Sequence, residues 1–304
     1  MVLNKIYEFS EALYPSVARS PNDLRAPRSF SIDPSFVQPL LGADGITQRI
    51  LPPGTALGSI PGSAKVRPLP RTRVATAAIT GSTTTFAVSK NTARFFKAAE
   101  VLVAIQPLAR VDFALTWADG DTATLVLDGR SVTYTVSAYS NLTTLAAAAA
   151  AFFAASFGPR YQFLSETQYL YVFEVDGKGR STISASEVTA GTGTFAVNGG
   201  LTQLAPAGTA IGTILSVDAA AETITLTAAA SNRLPIGAAI GVQSSLPTDA
   251  NGEGLGFLSP TMPVDIEWGA NTDYGAFVSG SFYRDRMPYL DGELTALFPE
   301  LVFG

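Results

Sequence analysis

Pro52-Pro53-Gly54-Thr55-Ala56-Leu57-Gly58-Ser59-Ile60, PPGTALGSI in one-letter code, reads at first as a glycine loop built to hold a ligand. The phrase returns as PAGTAIGTI at 206–214 and as PIGAAIGV at 235–242. Between 51–60 and 205–214, six positions of ten coincide: Pro52/Pro206, Gly54/Gly208, Thr55/Thr209, Ala56/Ala210, Gly58/Gly212 and Ile60/Ile214. A phosphate cradle needs a glycine run that ends in Lys-Ser/Thr and opens a helix. Here Gly58 leads into Ser59-Ile60-Pro61, where a helix cannot easily start. The phrase therefore reads as a device for starting strands. Proline sets the approach, the first glycine makes the tight turn, and an apolar residue begins the strand. The second glycine leaves room for a neighbouring backbone, as at a bulge or a barrel corner. Gly54, Gly58, Gly208 and Gly212 are thus expected to be structural turn glycines.

The texture around these repeats is that of a mainly β protein. Leu57–Ile60, Thr84–Val88, Val101–Ile105, Val111–Trp117, Thr122–Leu127 and Val132–Val136 read as strands. Asp119-Gly120 and Asp128-Gly129 suit tight hairpin turns, which makes Val111–Val136 a three-stranded meander. LTTLAAAAAAFFAASF, 142–157, reads as a helix capped by Ser140 or Asn141 and stopped by Gly158-Pro159. Its bulky residues Leu142, Leu145, Phe152, Phe153 and Phe157 fall on one arc, so it is expected to lie across a sheet. Tyr161–Phe163, Tyr169–Val175 and Thr182–Ala185 add strands, with a turn at Asp176-Gly177-Lys178-Gly179. Ile211–Val217 and Thr223–Thr227 alternate as a half-buried hairpin does. Gly256–Leu258, Val264–Glu267 and Tyr274–Ser279 read as later strands, followed by a short helix at Asp291–Leu297.

Four parts follow from this pass. Residues 1–48 form an extended N-terminal arm. Residues 49–73 with 243–304 form a β core, of barrel or sandwich type. Residues 74–110 with 205–242 form an inserted β module. Residues 111–204 form an inserted α+β domain of order β-β-β-α-β-β. In the arm, Pro15, Pro21, Pro27, Pro34 and Pro39 block regular structure, while Phe30, Ile32, Phe36 and Val37 are too apolar for a free linker. The arm either wraps its own domain or docks on a neighbouring subunit.

Composition removes whole classes of function. The chain has 304 residues, no cysteine and no histidine, so Ser-His-Asp triads, Cys-His nucleophiles and His- or Cys-ligated zinc cannot arise within it. Net charge is −5 and no dense Lys/Arg cluster occurs, which argues against nucleic acid or an anionic membrane as a partner. The N-terminus carries Glu8 and Glu11 where a signal peptide would be apolar, so none is expected. The Ala-rich helix would span roughly 24 Å, short of a bilayer crossing.

Candidate chemical sites are few. Asp119-Gly120-Asp121 opens like a calcium loop, but Arg130 stands where the bidentate glutamate belongs. Asp265 and Glu267 share one strand face and could serve as paired carboxylates, although two acids on a wet face are ordinary. Trp117, Tyr169 and Tyr171 are the aromatics a glycan-binding reading would use. Tyr283-Arg284-Asp285-Arg286 is either a subunit contact through arginine forks or a solvated turn.

Taken with Lys65-Val66-Arg67-Pro68-Leu69, Gly254-Leu255-Gly256-Phe257-Leu258, Val264-Asp265-Ile266, Ala276-Phe277-Val278-Ser279-Gly280 and Leu294-Thr295-Ala296-Leu297, the first repeat resembles the head decoration (capsid cement) proteins of tailed phages, of the lambda head-decoration type. The resemblance covers roughly 49–73 and 245–304, and the chain departs from the family in a long insertion. It implies a non-enzymatic virion subunit on the outer capsid surface, trimeric, bound to the major capsid protein, with no cofactor and no small-molecule substrate. It places capsid or subunit contacts on the arm, with Tyr14, Arg25, Arg28, Phe30 and Phe36 as anchors; the charge cluster adds Arg284 and Arg286 as contact candidates. The alternatives are a tail, baseplate or fibre subunit, or a glycan-binding or carbohydrate-active module.

Overall fold

The computed structural model describes residues 28–41, 47–60, 62–175, 181–243, 254–258, 264–265, 273–277, 280–282, 287, 289–290 and 301–303. They form a mainly β protein of largely antiparallel sheets with one α-helix among the described residues.

Six strands pair in the order Arg71–Arg73, Ala239–Val242, Val101–Ala104, Thr209–Asp218, Thr223–Leu226 and Thr85–Ala87. The two end strands also meet. Val74 bridges Val88, Ala75 N donates to Ala87 O at 3.0 Å, and Ser89 N donates to Arg73 O at 3.1 Å. The sheet thus closes on itself as a small barrel. Closure requires curvature, and the long strand Thr209–Asp218 supplies it with register shifts at Ala210/Gly212 and Ile214/Ser216. Inside lie Phe86, Val88, Leu102, Ile211, Ile214, Ile224, Leu226 and Ile240, all buried. Each such side chain contributes about 1.5–3 kcal/mol of apolar transfer. The expected hairpin of Ile211–Val217 with Thr223–Thr227 is present within this barrel.

A second sheet runs Arg28–Ser31, Asp273–Phe277, Gly254–Leu258, Ala56–Ser59 and Val66–Pro68. Just past its first strand, Ile32 forms a parallel bridge with Val66, and Asp33 N donates to Val66 O at 2.9 Å. Ile32 and Val37 are buried in the same core as the barrel. The described residues of the segment read as an arm, 28–41 and 47–48, are therefore built into their own chain. Ile50–Leu51 pairs with Val264–Asp265, and Gly280–Phe282 pairs in parallel with Leu301–Phe303. The turn expected at 176–179 and the helix expected at 291–297 lie outside the described residues.

The third part holds two sheets and the helix. Tyr161–Glu166, Tyr169–Glu174, Leu108–Ala114 and Thr194–Val197 make one sheet; Arg130–Thr135, Thr122–Leu127 and Ile183–Val188 make the other. The expected meander is corrected here. Leu108–Ala114 pairs with Tyr169–Glu174 and Thr194–Val197, never with Thr122–Leu127. The chain leaves the first sheet at Leu115, whose φ is 61°, buries Trp117, and enters the second sheet after Asp121. Ala109, Val111 and Phe113 then share one core with Ala123, Leu125 and Leu127. Joining two sheets over one core buries both strands, whereas a flat meander leaves one face wet. Asp128-Gly129 does form the expected hairpin turn, with φ of 49° and 78°, the two positive values a type I′ turn needs.

The helix spans Leu142–Phe157. Asn141 caps it by accepting from Thr144 N at 2.9 Å, and Gly158 ends it at φ 81°. Leu145, Ala146, Ala149, Ala150, Phe153 and Phe157 are buried, while Phe152 is 39% exposed. The buried stripe is thus rotated from the expected arc. Alanines let the helix approach the sheets closely on the side where Phe153 stacks on Phe195.

Candidate functional site

The three glycine phrases build the same local object. Thr55 Oγ1 donates to Pro52 O at 2.7 Å, and Thr209 Oγ1 donates to Pro206 O at 2.9 Å. Gly54, Gly208 and Gly237 all take left-handed φ, of 70°, 91° and 86°. That region penalises any residue with a Cβ, which explains glycine at this position of each copy. Each turn opens a strand: Ala56–Ser59, Thr209–Asp218 and Ala239–Val242. Gly58 pairs with Gly254 beside a register shift, and Gly212 follows one. A Cβ on Gly212 would lie 3.1 Å from Leu226 Cδ1, so the strand packs tightly there.

Of the expected contact residues, Tyr14, Arg25, Arg284 and Arg286 lie outside the described residues. Arg28 and Phe30 lie on the strand that pairs with Asp273–Phe277. Phe36 is half-buried beneath two cations, with Arg67 Cζ 4.3 Å and Lys97 Nζ 5.1 Å from its ring centroid. Arg67 is itself held by Glu100 Oε1 at 2.9 Å. Phe36 thus has partners within its own chain.

The acids of the calcium-like loop serve the backbone. Asp121 is 4% exposed and accepts from Ala118 N and Ala190 N, each at 2.8 Å; Asp119 accepts from Tyr139 N at 2.7 Å. Trp117 and Tyr171 are buried. Tyr169 has two guanidinium groups near its ring, Arg110 at 4.5 Å and Arg233 at 4.8 Å. Those arginines are held in turn by Asp112 and Glu166. The aromatics that a glycan platform would use are therefore committed to packing. Asp265 lies on a strand, and Glu267 is outside the described residues.

A polar cluster around Asp128 was not legible as a motif, because its members come from four separate segments. Tyr161 OH donates to Asp128 Oδ2 at 2.8 Å, Ser181 Oγ donates to the same oxygen at 3.1 Å, and Thr182 N donates to Oδ1 at 2.8 Å. Arg160 bridges Asp128 at 3.0 Å and the buried Glu174 at 2.9 Å. Burial pushes the Asp128 carboxyl up, but the bonds from Tyr161, Thr182 and Ser181 and the Arg160 charge outweigh it and hold it below its ordinary value. Burial raises Tyr161. These bonds fasten the Asp128-Gly129 hairpin to the strand after the helix, while Glu174 Oε2 is enclosed with no hydrogen-bond partner.

No protein-family model matches the chain, and no curated protein matches it. A solved structure from Mycobacterium phage Patience is similar over 72% of this chain and 96% of that chain, at 9% identity and a TM-score of 0.22. A likeness at that level carries no argument about fold or role.

Proposed function

We propose that the chain is a structural, non-enzymatic subunit of a tailed-phage particle. In this reading it is a decoration protein that binds the outer face of the head as a trimer and bridges neighbouring major capsid protein subunits. One observation supports it most. The segments that carry the resemblance stand far apart in sequence yet assemble together: Ala56–Ser59, Val66–Pro68, Gly254–Leu258 and Asp273–Phe277 share one sheet, with Ile50–Leu51 paired to Val264–Asp265 beside it. The barrel and the α+β part are then insertions into that sheet.

The arm supplies the test. Arg28–Ser31, Ile32 and Val37 belong to the fold, so the cut belongs after residue 27. A chain lacking 1–27 should melt as the full chain does and decorate heads poorly. Full occupancy by the truncated chain would sink the arm's role. Cryo-electron microscopy of the particle decides location: density on the tail would replace this reading with that of a tail, baseplate or fibre subunit.

A further inference from the structure

Asn91, Asn141, Asn198 and Asn232 are the asparagines among the described residues, and of these Asn198 alone is followed by glycine. Asparagine is a thermolabile residue. Its carboxamide is lost when the backbone nitrogen of the next residue attacks Cγ, so the next side chain decides how closely that nitrogen approaches. Thr92, Leu142 and Arg233 each set a Cβ beside it, whereas Gly199 sets none.

The local structure leaves that attack room. Asn198–Gly200 is a single 3-10 turn directly after the strand Thr194–Val197. All three residues are exposed, and Gly199 and Gly200 take φ of 69° and 63°. Hydrogen-bond geometry in so short a turn is poor, so it reorganises without opening either core. The other three carboxamides are held more firmly. Asn91 Oδ1 accepts from the buried Arg94 at 3.0 Å, Asn141 Oδ1 caps the helix at 2.9 Å, and Asn232 Nδ2 donates to Ala210 O at 2.7 Å. Asn198 Nδ2 donates to Asp112 Oδ2 at 3.2 Å, the long end of the range for such bonds.

We propose that Asn198 is a modification site, converted spontaneously to aspartate and isoaspartate, and that the new carboxylate sets itself against Asp112. Gly199 N forms a bond to Asn198 Cγ while the Cγ–Nδ2 bond breaks. The amide nitrogen leaves as ammonia, taking the Gly199 proton, and a succinimide remains. Water then opens the ring at either carbonyl. The product is a carboxylate at residue 198, on a backbone of normal length or one longer by a carbon, and the ammonia takes the released proton. A donor to Asp112 is thereby replaced by a second anion. Asp112 already accepts from Arg110 Nε at 2.7 Å and Nη2 at 3.0 Å, so the two carboxylates compete for Arg110. The repulsion falls where Ala196 and Val197 pair with Asp112 and Val111, and it loosens that end of the sheet. The inference goes beyond the virion reading and does not depend on it.

The test warms the full chain in mildly alkaline buffer and follows it by mass spectrometry after trypsin. The peptide 181–233 carries Asn198 and Asn232, while Asn251-Gly252 falls in the separate peptide 234–284. Fragment sequencing should find the new acid at 198 while Asn91, Asn141 and Asn232 keep their amides, and Asn198→Gln should abolish it. Asn198→Asp should lower the urea midpoint, and the drop should shrink when Asp112→Asn is the background. The proposal is overturned if Asn198 keeps its amide as long as Asn232 does. It is equally overturned if Asn198→Asp unfolds at the parent's midpoint, or if its drop is undiminished on the Asp112→Asn background. The mass measurement uses the unsubstituted chain and decides alone if a variant does not fold.

Discussion

Tyr171 and Val172 are consecutive in the chain and lie in different hydrophobic cores. Tyr171 packs with the barrel core; Val172 packs with the helix and the two-sheet core. Their strand, Tyr169–Glu174, is buried on both faces, with Leu170 and Val172 on one side and Tyr171 and Phe173 on the other. The α+β part is thereby fused to the barrel through one shared strand. Unfolding one part should expose a face of the other.

Tyr171 reports on that fusion. Burial, reinforced by the Glu166 charge, pushes its hydroxyl far above the ordinary tyrosine value. A raised folded value means that the stability it contributes is complete below the unfolded value of about 10 and declines as pH rises past it. Tyr171→Phe should cost about 1 kcal/mol at neutral pH through the lost bond to Glu166, seen in urea denaturation, and should lessen the alkaline decline. An unchanged alkaline limb would count against this account.

The turn glycines separate by conformation. Gly54→Ala and Gly208→Ala force a Cβ into left-handed backbone and should each cost about 1–2 kcal/mol by chemical denaturation. Gly212→Ala meets only the flexible end of Leu226 and should cost less than either. The reverse order would mean that close packing, not backbone conformation, selects glycine in the phrase.

Two adjacent phenylalanines test the helix face. Phe153 is fully buried, and Phe153→Ala should cost about 3–5 kcal/mol. Phe152 keeps ring contacts with Tyr134 and Phe153 but is partly exposed, so Phe152→Ala should cost about 1 kcal/mol. Thermal or urea unfolding of the pair distinguishes this rotation from the arc read off the helical wheel.

Asp128 sets an acid limit. Its carboxyl is held below its ordinary value, so the stability it contributes is present above that ordinary value and lost as pH falls through the lower folded one. Asn suits the positive φ that Asp128 adopts, so Asp128→Asn keeps the turn and removes the charge. The variant should be less stable at neutral pH and should lose less of its stability on acidification, followed by circular dichroism. Identical acid limbs in the two chains would show that the cluster is not the acid-sensitive element.

Much of the secondary structure was legible because its causes are local. Thr122–Leu127 alternates, Asn141 and Gly158 bracket an alanine-rich run, and Asp128-Gly129 is the preferred composition for its turn. The repeated Pro-x-Gly phrase was readable as a strand starter for the same reason: its glycine and its threonine act within four residues. The partners of Asp128 belong to no motif: Arg160, Tyr161 and Ser181 lie far from it in the sequence, and nothing in their neighbours sets them apart.

The sequence by itself determined the mainly β class, the capped helix, the tight turns and the absence of histidine and cysteine chemistry. Only the tertiary structure decided which strands became neighbours. It placed Arg28–Ser31 beside Asp273–Phe277, closed the barrel between Val74 and Val88, and moved Leu108–Ala114 out of the expected meander. The division has a physical reason. Turn and cap preferences are set by the dihedrals and hydrogen bonds of a few adjacent residues, whereas strand pairing is chosen by which faces can be buried together, and those faces come from opposite ends of the chain.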